Sequence, residues 1–260
     1  EAREAIWLTG QGKGHLDLPR MQAGGFAGGL FAIYVPSPAE EGDAALDSLM
    51  DAPPYRLPLP EPLPLAASQA VAFGLAAQLL WMERSSGGAF RLCRTAAEID
   101  TARNDGVIAG VMHMEGAEAI DEGCDALHAF HALGLRSLGP VWSRPTAFGH
   151  GVPFAFPADP DTGPGLTEAG KRLIRACNDL RVLVDLSHLN AAGFDDVARL
   201  SDAPLVATRL GYPDLSGLDL LELFAFVHPA RFMVPTPKGL AAALGLTAPV
   251  REDQVPTLLQ

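Results

Sequence analysis

Three observations predict an α/β fold built from parallel βαβ units. From about residue 66 to residue 208, apolar runs of strand length alternate with stretches of helical period, short links join many of them, and helix-capping residues stand at several of the boundaries. A chain of 260 residues is long enough to close such units into one large α/β domain.

The elements follow in order. Leu30 to Val35 is a six-residue apolar strand, approached by glycines and stopped by Pro36 and Pro38. Residues 39–65 are acidic and then proline-rich, ending in "DAPPYRLPLPEPLPL", which can continue neither a helix nor a central strand and is read as a surface excursion. Ala66 to Arg84 has apolar residues at helical spacing and forms a helix of about five turns. A helix over 96–104, a strand over 107–114, a helix over 122–133 and a strand over 135–142 come next, followed by a polar, proline-containing loop over 143–165. Thr167 caps a helix that runs to Leu180, Val182 to Leu186 is a β-branched strand, Asn190 opens another helix, and Pro204 to Thr208 is a further strand. Beyond Leu210 there are helical patches near 218–227 and 238–245, but no strand that ends in a polar group.

Composition narrows the function. With 48% hydrophobic and 19% charged residues the chain can bury a large core, which argues against global disorder. A net charge of −12 excludes a general binder of nucleic-acid backbones, which needs a basic face. Cys93, Cys124 and Cys177 are far apart and form no CxxC pair, so they are expected as reduced, buried thiols. Neither a signal-peptide pattern nor a run of 18 apolar residues occurs, so the expectation is a soluble, cytoplasmic chain without a membrane span, or a periplasmic one if a signal precedes this sequence.

In parallel α/β domains chemistry sits at the carboxyl ends of the strands. Two strands end in residues able to bind metal: "GVMHMEG" delivers Glu115, and "VLVDLSH" delivers Asp185 and His188. A carboxylate and an imidazole from neighbouring strand ends suit zinc or a similar divalent cation. Singly, Glu115 also reads as an acid against a helix dipole, and His188 as a strand cap bonded to backbone. His15 and Asp17 form an HxD pair, a spacing that places two ligands on one side of a strand, but no apolar strand precedes them. His113 is expected to pack or to face the interior.

The order "GGLFAIYVPSP", "MHMEGAEAI", "LRSLGPVWSRPTAFGHGVPF" and "GLTEAGKRLIRACNDLRVLVDLSHLNAAGFDDVARLSDAPLVAT" resembles the renal or membrane dipeptidase family, zinc metallopeptidases of family M19, over residues 12–208. The resemblance implies a TIM-like (β/α)8 barrel with two zinc ions at its carboxyl face and hydrolysis of a dipeptide by metal-activated water. It carries Glu115 onto the bridging carboxylate and His188 onto a ligand of the second metal. Trp142, Ser143, Arg144 and His150 fall in the loop where the family contacts substrate, so Arg144 is expected to fork a substrate carboxylate and His150 to polarise a carbonyl.

The chain also departs from the family's pattern. No "DGHxD" strand leads, Arg209 stands where a ligand histidine is expected, and the tail lacks the late aspartate motif. These departures predict an incomplete barrel, with a body over 1–209 and a divergent tail over 210–260, and weak metal binding. The alternatives are an inactive barrel and a lactam or ester hydrolase of the same superfamily. Exposed parallel edges predict self-association into a homo-oligomer.

Overall fold

The computed structural model describes residues 2–10, 16–38, 54–203 and 205–206. The elements run α1 (Ala2–Glu4) with a π-type turn at Ala5–Thr9, α2 (Leu18–Ala23), β1 (Gly28–Tyr34), β2 (Tyr55–Arg56), α3 (Leu65–Ser85), β3 (Phe90–Leu92) and α4 (Ala96–Asn104). They continue with β4 (Ile108–Glu115), α5 (Asp125–Leu133), β5 (Leu135–Gly139), β6 (Ala155–Phe156), α6 (Glu168–Leu180), β7 (Leu183–Asp185), α7 (Ala191–Leu200) and β8 (Leu205–Val206). The expected tail elements, His15, Arg209 and residues 39–53 lie outside the described residues.

Six strands form one sheet in the order β1-β4-β5-β7-β8, with β3 also on β4, and every pair is parallel. From β4 onward each strand lies beside the next main strand of the chain, with α5 between β4 and β5, α6 between β5 and β7, and α7 between β7 and β8. That succession is the winding of a (β/α) barrel, so the carboxyl ends of all these strands share one rim. β2 and β6 pair separately and antiparallel, joining the proline-rich excursion to the 143–165 loop.

Local sequence explains the elements well. In β4 all residues but Val111 and Glu115 are buried, which is why it reads as an unbroken apolar run rather than an alternation. In α6, Ala169, Leu173, Ile174 and Cys177 form one buried stripe. Its cap is the Thr167 hydroxyl, which accepts from the Gly170 N–H at 3.0 Å, and Asn190 Oδ1 likewise accepts from the Gly193 N–H at 2.9 Å to start α7. α5 begins three residues later than the periodicity predicts. The Asp121 carboxylate accepts from the N–H groups of Asp125 and Ala126, which holds Asp121–Cys124 as a turn and keeps its acid below the usual carboxylate range.

α3 has the length and apolarity to cross a membrane. Here its Ser68, Ala72, Ala76 and Leu79 stripe is buried, and the helix packs against β1 and β3. Asp17, the described half of the HxD pair, caps α2: its Oδ1 accepts from the Arg20 N–H at 2.8 Å.

Two outcomes test this packing. Gly170→Ala adds helix propensity of about 1 kcal/mol, but its Cβ would stand 2.0 Å from the Phe148 carbonyl oxygen, an atom fixed by backbone. We expect overpacking to win and stability to fall by about 1–3 kcal/mol, read from the urea midpoint. Cys177 is fully buried and its thiol is pushed up to about 12. At pH 8 its alkylation in the folded protein should be about a thousandfold slower than in urea, because the thiolate is that much scarcer.

Candidate functional site

Glu115 closes β4, paired with Tyr34 of β1 on one side and Gly139 of β5 on the other. A strand hydrogen-bonded along both edges fixes where that carboxylate leaves the sheet. β7 ends at Asp185, whose Oδ1 accepts the Ser187 N–H at 2.9 Å and the Ser187 hydroxyl. This tight turn delivers His188. The segment after β7 is then stitched to the long loop: the Val152 N–H donates to the His188 carbonyl at 3.0 Å, the Asn190 N–H donates to the His150 carbonyl at 3.2 Å, and Gly151 bridges Leu189.

The result is a direct contact, with His188 Nε2 3.1 Å from Glu115 Oε1 and both side chains about one third exposed (32% and 31%). Acid and imidazole therefore share one rim. The expectation that they come from neighbouring strands needs correction, because β5 lies between β4 and β7. Gly139 ends the intervening strand: a Cβ there would sit 3.4 Å from the Val141 carbonyl oxygen, 3.6 Å from that of Asp185 and 3.9 Å from the Gly116 nitrogen.

Below this contact is a second polar layer. His113, two residues before Glu115 and thus on the same face of β4, has Nδ1 2.9 Å from the Ser137 hydroxyl and Nε2 3.7 Å from Asp185 Oδ2. Burial holds the His113 pKa below its ordinary value against the pull of the Asp185 and Glu115 carboxylates, so the ring is neutral at pH 7 and the 3.7 Å approach is no ion pair. An aromatic cluster centred on Trp142 adjoins His188. Trp142 stands 5.1 Å from Tyr34, 5.2 Å from Phe154 and 6.3 Å from His188, centre to centre. Desolvation raises the Tyr34 phenol, with Arg144 opposing it.

Arg144 and His150, the two residues expected at the substrate, have different surroundings. Arg144 is fully buried and its fork is turned inward: four of the five guanidinium N–H groups donate to Glu118, Val35 and Ser37. Glu118 takes both contacts on Oε1, its Oε2 is buried without a hydrogen-bond partner among the described residues, and burial raises its pKa. His150 lines a separate groove of about 580 Å³ with Arg56, Leu57, Pro153, Asp161 and Thr162, and among the described residues its ring makes no hydrogen bond to Glu115 or His188. Sequence reasoning did not single out Ser137, Tyr34 or Glu118. The period-2 position of His113 relative to Glu115 was the one available signal for the second layer.

The donor chemistry fits one edge of a metal site. Two ligands at about 2.0–2.1 Å from a tetrahedral zinc lie about 3.3 Å apart, and the Glu115–His188 contact is 3.1 Å. Among the described residues no group of three or more His, Cys, Asp or Glu side chains converges.

Comparison with known proteins agrees with this architecture. The sequence model of the membrane dipeptidases, peptidase family M19, matches residues 2–215. A crystal structure of a metallo peptidase from Rhodobacter sphaeroides, liganded with a phosphinate mimic of the dipeptide L-Ala-D-Ala, is 65% identical with a TM-score of 0.77, covering 79% of this chain and 58% of its own. A second structure, the dipeptidase AC, a metallo peptidase of family M19, is also 65% identical with a TM-score of 0.76, covering 79% and 57%. A protein from Acinetobacter calcoaceticus, known as an uncharacterised product of the PQQ-III 3′ region, is 37% identical over 196 residues, 75% of this chain and 60% of its own. The chain thus spans somewhat under two thirds of the length of these relatives. On a family match that takes in every described element, the chain belongs to the membrane dipeptidase family, peptidase family M19.

Proposed function

We propose that this chain is a zinc-dependent dipeptidase whose metal is held in part by Glu115 and His188. The observation that carries the reading is the 3.1 Å approach of His188 Nε2 to Glu115 Oε1 at the carboxyl rim of a family M19 barrel. Zinc, when bound, supplies Lewis acidity toward a peptide carbonyl and makes water a stronger acid.

The chain's own residues set the conditions for that chemistry. An ionised carboxylate only accepts, so the contact is a hydrogen bond when His188 carries a proton on Nε2. A divalent cation would be held by His188 Nε2 and a Glu115 carboxylate oxygen, and Nε2 would have to be free of its proton to bind it. Glu115 Oε2 makes no hydrogen bond among the described residues and would be the carboxylate oxygen left for a further partner. The Asp185–Ser187 turn holds the His188 backbone in place, and the Trp142 ring stands 6.3 Å from the His188 imidazole.

The substrate class follows from the relatives. Because the Rhodobacter enzyme is liganded with a mimic of L-Ala-D-Ala, alanine dipeptides of both configurations at the second residue form the first panel to assay. In this reading Arg144 is not the substrate's anchor, since its donors are enclosed.

The test is zinc uptake and hydrolysis by the wild type, Glu115→Ala and His188→Ala. We expect each substitution to weaken zinc binding and to lower kcat/KM by at least about a hundredfold, the upper end of what loss of an outer-shell partner costs. Hydrolysis that survives both substitutions and exhaustive chelation would refute the assignment, as would a wild type that takes up no zinc at micromolar concentration.

A further inference from the structure

We propose that Arg144 is a positioning residue for the Glu115–His188 pair, acting through Glu118 and the segment after β1, and that it thereby sets the pair's affinity for a divalent cation. This rests on the zinc reading above.

The geometry points there through what the guanidinium ties together. Nε and Nη2 donate to Glu118 Oε1 at 3.1 and 2.7 Å, Nη2 donates to the Val35 carbonyl at 2.8 Å, and Nη1 donates to the Ser37 hydroxyl at 2.7 Å. Val35 directly follows Tyr34, the β1 partner of Glu115. Glu118 lies just past Glu115 in the chain, and Arg144 itself comes shortly after Gly139, the β5 partner of Glu115. One side chain therefore ties together the exits of β4 and of β1 and β5, the two strands that pair with Glu115. It reaches the other half of the pair as well: its Cζ is 6.0 Å from the Trp142 ring, and that ring is 6.3 Å from the His188 imidazole.

A purely structural account leaves two features unexplained. A buried ion pair is an inefficient way to stabilise a core, because an apolar cluster of equal volume usually does as well or better. This pair is also imperfect, since Glu118 Oε2 is buried without a hydrogen-bond partner among the described residues. What the guanidinium supplies that an apolar group cannot is direction: a planar fork with donors fixed toward three acceptors on two different segments. Lysine keeps the charge and loses the fork.

The test compares Arg144→Lys, Glu118→Gln and the milder Ser37→Ala in the full chain. Three readouts apply: zinc affinity by competition with a chromophoric chelator, the melting temperature, and the imidazole NMR signals of His188 in metal-free protein. We expect Arg144→Lys and Glu118→Gln to weaken zinc binding at least tenfold and to shift the His188 signals while remaining folded at the assay temperature, with a smaller change of the same sign in Ser37→Ala. Variants that melt earlier yet keep wild-type zinc affinity and unshifted His188 signals would overturn the proposal and leave Arg144 a stability residue only. Should Arg144→Lys fail to fold, Glu118→Gln and Ser37→Ala decide by the same criteria. A wild type that binds no zinc refutes the dipeptidase reading alone, and the His188 signals then decide positioning: unshifted in every folded variant, they overturn it.

Discussion

The site depends on a contact between two side chains whose strands do not touch. Glu115 leaves β4, His188 follows β7, and β5 runs between them, yet Oε1 and Nε2 are 3.1 Å apart. Parallel strands are spaced about 4.8 Å apart, so a contact across an intervening strand needs open space at its end, and β5 ends in Gly139. The remaining geometry serves that crossing. The Asp185–Ser187 turn brings His188 back toward the sheet, and the bridge from Gly151 to Leu189 secures the segment from its outer side.

Around this contact polar groups are arranged by depth. His113 and Ser137 lie below it and are nearly excluded from solvent, while Glu115 and His188 remain open enough for a small molecule to approach. Beyond the strand ends, the Arg144–Glu118 pair buries two opposite charges where loops would otherwise splay. Breaking such a pair by removing one partner typically costs about 3–5 kcal/mol, because the remaining charge is stranded in a poorly solvating interior. Arg144 is thus a fully enclosed cation in a chain whose net charge is −12.

Much of the architecture is legible in the residues, for reasons that differ by element. Thr167 and Asn190 are side-chain caps whose chemistry acts within one helical turn, so the starts of α6 and α7 follow from sequence alone. β4 reads as a strand because it is apolar on both faces. By contrast β3 has three residues, too few to show a period, and is defined by pairing with β4 rather than by its own pattern. α2 hides in "LDLPRMQAGG": the HxD spacing lacks an apolar strand before it and so argues against a ligand role for Asp17, but it does not announce the helix start that the Asp17 oxygen serves. The convergence of Glu115 and His188 could be read from strand ends, since side chains at that position are aimed by the sheet. The environment of Arg144 could not, because its acceptors at Glu118 and Val35 lie 26 and 109 residues away and only the folded barrel brings them together. An exposed-looking loop arginine in sequence thus becomes an enclosed clamp in the fold.

Anomalous diffraction at the zinc edge from crystals of the zinc-loaded protein tests the central claim most directly. A zinc peak is expected about 2.0–2.2 Å from both a Glu115 carboxylate oxygen and His188 Nε2. A peak elsewhere on the molecule, or well-ordered Glu115 and His188 side chains still hydrogen-bonded to each other in zinc-saturated crystals, would contradict it.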